Sequence, residues 1–185
     1  IIIDENVELI TTEDGTDAVI LDSSAYLIYN ESTKDYVKNG GFKVTADDNS
    51  ERIYGNLANG AADAANGSII YMLHDYVGNE NIKSGGNSSI LDLDGHTYTY
   101  TGNDQIVDVN HKDTEFTIKN GYLTTTADKL NQGGITVLYN NSSITLDKVQ
   151  MDVPGDSYGI VTNGTNVNNG VTLRNSTLNV HDGLG

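Results

Sequence analysis

The chain has 185 residues and a formal charge of −16, from 26 acidic against 10 basic side chains, a balance that repels phosphate backbones and anionic bilayers and argues against nucleic-acid binding. It contains no cysteine, which removes disulfides, thiolate metal sites and cysteine nucleophiles. Apolar residues make up 37% while glycine (20), Asn, Asp, Ser and Thr abound, the mix of many short strands and turns, and no apolar run approaches the roughly 20 residues that insert across a bilayer.

Residues 1–55 carry short apolar stretches: Val7-x-Leu9, Ala18 to Leu21, Ala25 to Tyr29 and Phe42-x-Val44. Acidic or glycine-containing turns separate them, so they read as strands, either irregular first coils or an N-terminal β cap. Residues 56–67 read as one short capping helix. Asn56 is its N-cap and Gly67 sits where a C-terminal glycine belongs, although Gly60 weakens the helix by roughly 1 kcal/mol against Ala. Its Leu57, Ala61, Ala64 and Ala65 are placed to cover the open end of the stack that follows. Ile69 to Leu73 is then a strand.

From residue 88 a repeat takes over. Leu91-x-Leu93-x4-Tyr98-x-Tyr100 returns as Phe116-x-Ile118-x4-Leu123-x-Thr125, Ile144-x-Leu146-x4-Met151-x-Val153 and Val171-x-Leu173-x4-Leu178-x-Val180. The inner anchors 93, 118, 146 and 173 are 25, 28 and 27 residues apart. A period of that length belongs to a solenoid, because one unit cannot bury its own apolar face and stacks on a copy of itself. Residues i and i+2 share a side of a strand, so Leu91 and Leu93 point inward while Asp92 and Asp94 point out. Four residues between anchors form a fixed corner. A variable loop then leads to a third apolar strand (Ile106 to Val109, Ile135 to Tyr139, Ile160 to Thr162), each followed by Asn (Asn110, Asn140, Asn163) suited to an amide ladder. The fold expected is all-β: a right-handed parallel β-helix over residues 68–185, with three strands and about 25–28 residues per coil, behind an N-terminal β/short-helix cap. The predicted columns are Leu91/Phe116/Ile144/Val171, Leu93/Ile118/Leu146/Leu173, Tyr98/Leu123/Met151/Leu178 and Tyr100/Thr125/Val153/Val180. The start at Ile1 and the stop at Gly185 just after a repeat strand, without a polar cap, suggest a piece of a longer protein whose coils continue.

The segment Ala61 to Asp75, followed by Ile90-Leu-Asp-Leu-Asp-Gly-His-Thr-Tyr98 and by Thr117-Ile-Lys-Asn-Gly121, resembles the opening of pectate-lyase-like right-handed β-helix domains of bacterial (Firmicutes-type) cell-surface, adhesin-like proteins. The resemblance covers about residues 56–185 and speaks for fold. It implies an extracellular, secreted or surface location, and leaves adhesins, carbohydrate-active enzymes and uncharacterised surface proteins equally served. The hydrolase set of that fold (Asn-Thr-Asp, Asp-Asp, Gly-His-Gly, Arg-Ile-Lys) is not arranged on successive coils here. A lyase would need Ca²⁺ carboxylates beside an Arg or Lys base, and Arg174, Lys112, Lys119, Lys129 and Lys148 show no such neighbour in register.

Candidate sites are few. Asp92 and Asp94 lie on one strand within the separation that glycoside hydrolysis needs, against the simpler reading of a solvated strand residue and an Asp-Gly corner. For Ca²⁺, which takes oxygen ligands, the candidates are Asp47 and Asp48 in an acidic turn, and Asp152 with Asp156 beside a glycine-containing loop; neither has EF-hand spacing. The four histidines (74, 96, 111, 181) form no i, i+4 pair. Tyr122, Tyr139 and Tyr158 beside corners and loops offer flat rings with hydroxyls that suit sugars or protein contacts. The function expected is a non-catalytic adhesin-like module, binding a glycan or a host or cell-surface protein on its lateral faces, with no cofactor required and Ca²⁺ allowed. The alternatives are a fragment of a polysaccharide lyase or glycoside hydrolase, and a structural spacer.

Overall fold

The computed structural model describes residues 41–84, 90–162 and 168–181 in full, and within residues 1–40 the backbone of four short strands. Those four form two antiparallel pairs: β1 (Leu9–Ile10) with β2 (Ala18–Val19), and β3 (Leu27–Asn30) with β4 (Asp35–Lys38). A hairpin follows, β5 (Phe42–Thr45) and β6 (Glu51–Tyr54), and then the helix α1 (Leu57–Asp63).

The remaining strands wind into stacked three-sided coils. A short first coil holds β7 (Ile69–Met72), β8 (Tyr76–Gly78) and β9 (Ile82–Lys83). The next holds β10 (Ile90–Asp92), β11 (Thr97–Tyr100) and β12 (Gln105–Val109). Then come β13 (Glu115–Thr125) with β14 (Gly133–Val137), β15 (Ser143–Val153) with β16 (Ile160–Thr162), and β17 (Gly170–Arg174) with β18 (Thr177–Val180). The 11-residue strands β13 and β15 bend round a corner and serve two sides each. Every coil-to-coil pairing is parallel. The result is a β-solenoid of about three turns, mostly strand, with one helix among the described residues.

Register refines the columns. Tyr98, Leu123, Met151 and Leu178 stack as expected, and so do Phe116, Ile144 and Val171. In the first full coil the first side is shifted by two residues: Leu91, not Leu93, pairs with Ile118, which continues to Leu146 and Leu173. The corner after β10 is two residues longer than the later ones. A slip of two preserves which side each residue faces, so the apolar pattern cannot reveal it. Leu93 is nonetheless fully buried, lying in the corner over Gly121. A methyl group at Gly121 would stand 2.5 Å from the Leu93 Cβ and 2.6 Å from the His96 carbonyl oxygen.

The solenoid also starts earlier than the repeat indicates. Ile70 pairs with Leu91, Tyr76 with Tyr98 and Ile82 with Val107. This coil spans only 21 residues (70 to 91), so its anchors fall out of the later spacing.

One left-handed residue turns each later first corner: Asn120 (φ 58°), Lys148 (φ 57°) and Asn175 (φ 51°). Asn tolerates that conformation because its short side chain bonds locally; a lysine there is strained. Another such column turns the third corner, where Asp113, Asn141 and Asn168 all have positive φ. It carries the amide ladder. Asn141 Nδ2 donates to Asp113 Oδ1 at 2.8 Å, and Asn168 Nδ2 donates to Asn141 Oδ1 at 2.9 Å. The ladder expected at Asn110 and Asn140 is therefore displaced along the corner. Asn110 instead pairs with Ser84, and Asn163 lies outside the described residues.

The cap closes one end. β5 runs antiparallel on β7, with Phe42 opposite Met72. Phe42 packs with Tyr76 and Tyr98 at centroid distances of 5.2 and 6.4 Å, and Tyr76 with Tyr98 at 4.8 Å. Tyr98 is fully buried and donates its hydroxyl proton to the Glu80 carbonyl at 2.8 Å. Burial first, then the charge fields of Tyr76 and Glu80, push that hydroxyl far above its usual pKa, so it stays a donor. Asn56 caps α1 as expected, accepting from the Asn59 amide at 2.9 Å. Leu57 and Ala64 are buried, and Gly60, with no side chain, packs beneath Phe42, Val44 and Tyr54. The helix ends sooner than expected. Ala64 is its C-cap and bridges to Ala46, while Gly67 (φ 76°) belongs to the turn beyond. Asp63 is held by Arg52 through two contacts of 2.9 Å and by the Tyr54 hydroxyl at 2.6 Å, fastening the helix to the hairpin.

Two outcomes follow from the corners. Gly121→Ala destabilises the protein by about 1–3 kcal/mol through overpacking, read as a lowered midpoint in a denaturant titration. Lys148→Asn removes the left-handed strain and adds up to about 1 kcal/mol, raising the melting temperature by roughly 2–4 °C in a calorimetric scan.

Candidate functional site

The first corner of successive coils forms an open groove of about 660 Å³. Asp94, Asn120, Tyr122, Lys148, Gln150 and Asn175 line it. The alternating geometry of the second side creates this row. Inward positions 98, 123, 151 and 178 fill the core, so the preceding residues Thr97, Tyr122, Gln150 and Thr177 stand in register on the outside. Tyr122 is about half exposed, at 49%.

Beside the groove runs a column of charge on the first side. Tyr71, Asp92, Lys119, Asp147 and Arg174 are in register on consecutive strands. Lys119 Nζ lies 3.0 Å from Asp92 Oδ2, and Arg174 lies 3.5 Å from Asp147. At the cap, the Lys43 ammonium sits 5.5 Å above the Tyr71 ring. Signs alternate from coil to coil. Lys148, in the groove, is exposed and has no ion pair among the described residues.

Asp92 is not the solvated residue expected. It is only 7% exposed. Besides Lys119, its carboxylate accepts from Asn120 Nδ2 at 3.0 Å and from the Asp94 amide at 3.0 Å. Burial alone raises its pKa, but those donors and the lysine charge together hold it below the ordinary aspartate value of 3.8. Asp94 does form the expected Asp-Gly corner, with φ of 48° and 87° at Asp94 and Gly95. The two carboxylates therefore have separate structural duties: one is a buried ionic anchor, the other an exposed turn residue.

The three candidate tyrosines are placed one at each corner type. Tyr122 lies at the first corner, Tyr158 in the loop between β15 and β16, and Tyr139 between β14 and β15, with exposures of 49%, 52% and 48%. They do not share one platform, and Tyr122 is the one that lines the corner groove.

The acidic candidates occupy three places. Asp47 and Asp48 are exposed in the β5–β6 turn. Asp48 accepts from the Ser50 amide at 2.9 Å, the Ser50 hydroxyl at 2.5 Å and Arg52 at 2.7 Å. Those Ser50 bonds, and then Arg52, lower its pKa to about 2. Asp152 on β15 accepts from Asn179 Nδ2 at 2.7 Å and faces His181 at 3.7 Å, while Asp156 is an exposed left-handed turn residue. Among the described residues no three Asp, Glu or His side chains are grouped to hold a metal ion. No helix among the described residues is long and apolar enough to cross a membrane.

A second cavity of about 320 Å³ lies between α1 and the third side of the first coils, lined mainly by Leu57, Ala58, Ala61, Ala62, Lys83 and His111. At its rim the Glu80 carboxylate accepts from the Leu57 and Ala58 amides at 2.9 and 2.8 Å. Glu80 thus supplies the anion that favours a helix N-terminus. Nothing in the spacing points to it, because the partners are more than 20 residues apart.

No protein-family model matches the chain, and neither a curated protein nor a solved structure is significantly similar to it.

Asp92 sets a pH dependence. Its folded pKa is depressed, so its contribution is complete above the ordinary aspartate range and is lost as pH falls through 3.8 towards the lower folded value. Asp92→Asn costs about 1–3 kcal/mol at neutral pH, by leaving Lys119 unpaired, and flattens the acid limb of the stability curve. An acid limb of unchanged slope in urea titrations between pH 2 and 6, roughly the range where carboxylates titrate, contradicts this assignment.

Proposed function

We propose that this chain is a non-catalytic, adhesin-like β-helix module of the pectate-lyase-like kind, carried outside a bacterial cell, secreted or at its surface, and binding a glycan along its lateral faces. The corner groove supports this reading. It joins an exposed tyrosine ring to a row of Asn, Gln and Thr side chains and to Lys148, which has no ion pair among the described residues. A flat ring stacks on the apolar face of a sugar, and amides and hydroxyls satisfy its hydroxyls in both donor and acceptor sense.

The groove runs across coils, so equivalent outer residues recur every 4.7–4.9 Å or so, the spacing of neighbouring strands. That repeat is close to the length of one ring in an extended glycan, and a chain laid along the solenoid axis meets one polar pair per coil. The module needs no cofactor, and Ca²⁺ is the metal that its exposed carboxylates suit. A protein carried on the same face is the other partner of this reading.

A glycan array with the intact chain tests it. Binding is expected, and Tyr122→Ala weakens it by roughly tenfold, about 1.4 kcal/mol, while Tyr139→Ala leaves it unchanged. Silence across glycans and surface proteins makes the module a spacer, and depolymerisation of any glycan on the array makes it an enzyme.

A further inference from the structure

Four Asn-Gly dipeptides lie among the described residues: 59–60, 66–67, 120–121 and 169–170. Asn39–Gly40 and Asn163–Gly164 fall outside them. An Asn followed by Gly can close on itself. The glycine amide nitrogen attacks the Asn Cγ, a new C–N bond forms, and the side-chain nitrogen leaves as ammonia. Water then opens the five-membered imide at one carbonyl or the other, giving aspartate or isoaspartate. No electrons are transferred, and water is the co-reactant. Closure needs a glycine nitrogen free to attack, an Asn side chain free to turn, and backbone room for the ring.

The fold withholds those conditions from three of the four. Gly60 lies inside α1, where its amide donates to the Asn56 carbonyl, and it is buried under Phe42 and Val44. Asn120 is held by its side-chain bond to Asp92, and Gly121 is buried against Leu93. Asn169 donates its side-chain amide to the Val137 carbonyl, and the Gly170 amide donates to the Ser142 carbonyl.

At 66–67 the conditions are met. Asn66 and Gly67 are both exposed in the turn between α1 and β7. The turn is closed from outside the pair, by the Ser68 amide on the Ala65 carbonyl at 2.9 Å. Neither residue of the pair makes a hydrogen bond among the described residues. No atom stands within 4 Å of the position a Gly67 Cβ would take, so the glycine has open space around it. A glycine there also leaves the peptide between the two residues free to rotate into the attack geometry.

We propose that Asn66 is a self-modification site, converting through a cyclic imide to aspartate and isoaspartate and acting as an ageing mark at the junction of the cap and the solenoid. The product adds one negative charge to a chain already at −16. The isoaspartate form also lengthens the backbone in the turn that feeds β7, the strand on which the cap hairpin sits.

The test is incubation of the folded chain at mildly alkaline pH, followed by peptide mapping by mass spectrometry and by enzymatic methylation of isoaspartate. The Asn66 peptide is expected to convert to both products while the peptides holding Asn59, Asn120 and Asn169 keep their amides. In denaturant all four convert at comparable rates, and Asn66→Gln removes the methylation signal of the 66–67 peptide. If Asn66 keeps its amide in the folded chain, or converts no faster there than Asn120 and Asn169, the proposal is overturned.

Discussion

Parallel stacking of one coil on the next is the constraint from which the rest of this structure follows. A single coil has strands too short to stand alone and an apolar interior one side chain deep. Only when Leu91, Ile118 and Leu146 lie over one another does each find apolar neighbours above and below, and all three are fully excluded from solvent. The same stacking pairs the backbone amides between coils, so burial and hydrogen bonding are satisfied by one arrangement rather than two. The cap serves this scheme too. β5 occupies the edge of β7, and Phe42 extends the aromatic column of Tyr76 and Tyr98 into the hairpin.

A stack of similar coils carries a hazard, since aliphatic columns look alike and one register resembles another. Polar columns break the degeneracy. Asp92, Lys119, Asp147 and Arg174 alternate in sign along one outer row, so displacement by one coil sets like charges side by side. The Asp113–Asn141–Asn168 ladder does similar work at another corner, because each amide donates to the oxygen of the coil before it. The exposed pairs add little to stability individually. Their value lies in choosing the register that the apolar columns leave open.

The groove and the corner strain have one origin. Turning the chain between two sides without interrupting the ladder takes one residue of left-handed backbone per coil, and Asn fills that place twice. In the middle coil it is Lys148, which carries its charge into the groove. A side chain poorly suited to the backbone thus stands in the middle of the groove proposed to take a ligand. Tyr122 could be singled out from the sequence because it sits in the corner of a repeat. That Gln150 and Thr177 continue its row could be read only from register.

The repeat alone makes this chain a solenoid. Apolar anchors at a steady period admit no other way of being buried, and the second-side column of Tyr98, Leu123, Met151 and Leu178 could be written down directly. The N-cap at Asn56 was equally readable, because capping is a contact over three residues. Whatever depends on partners distant along the chain emerges only with folding. The two-residue offset of Leu91 against Ile118 keeps the inside–outside alternation intact and so leaves no trace in the pattern. The first coil is too short to share the period, the burial of Asp92 depends on Lys119 and Asn120 one coil away, and Glu80 reaches α1 across the turn of a coil. Periodicity reports which side chains face the core; only the stacked coils fix which residue each one meets.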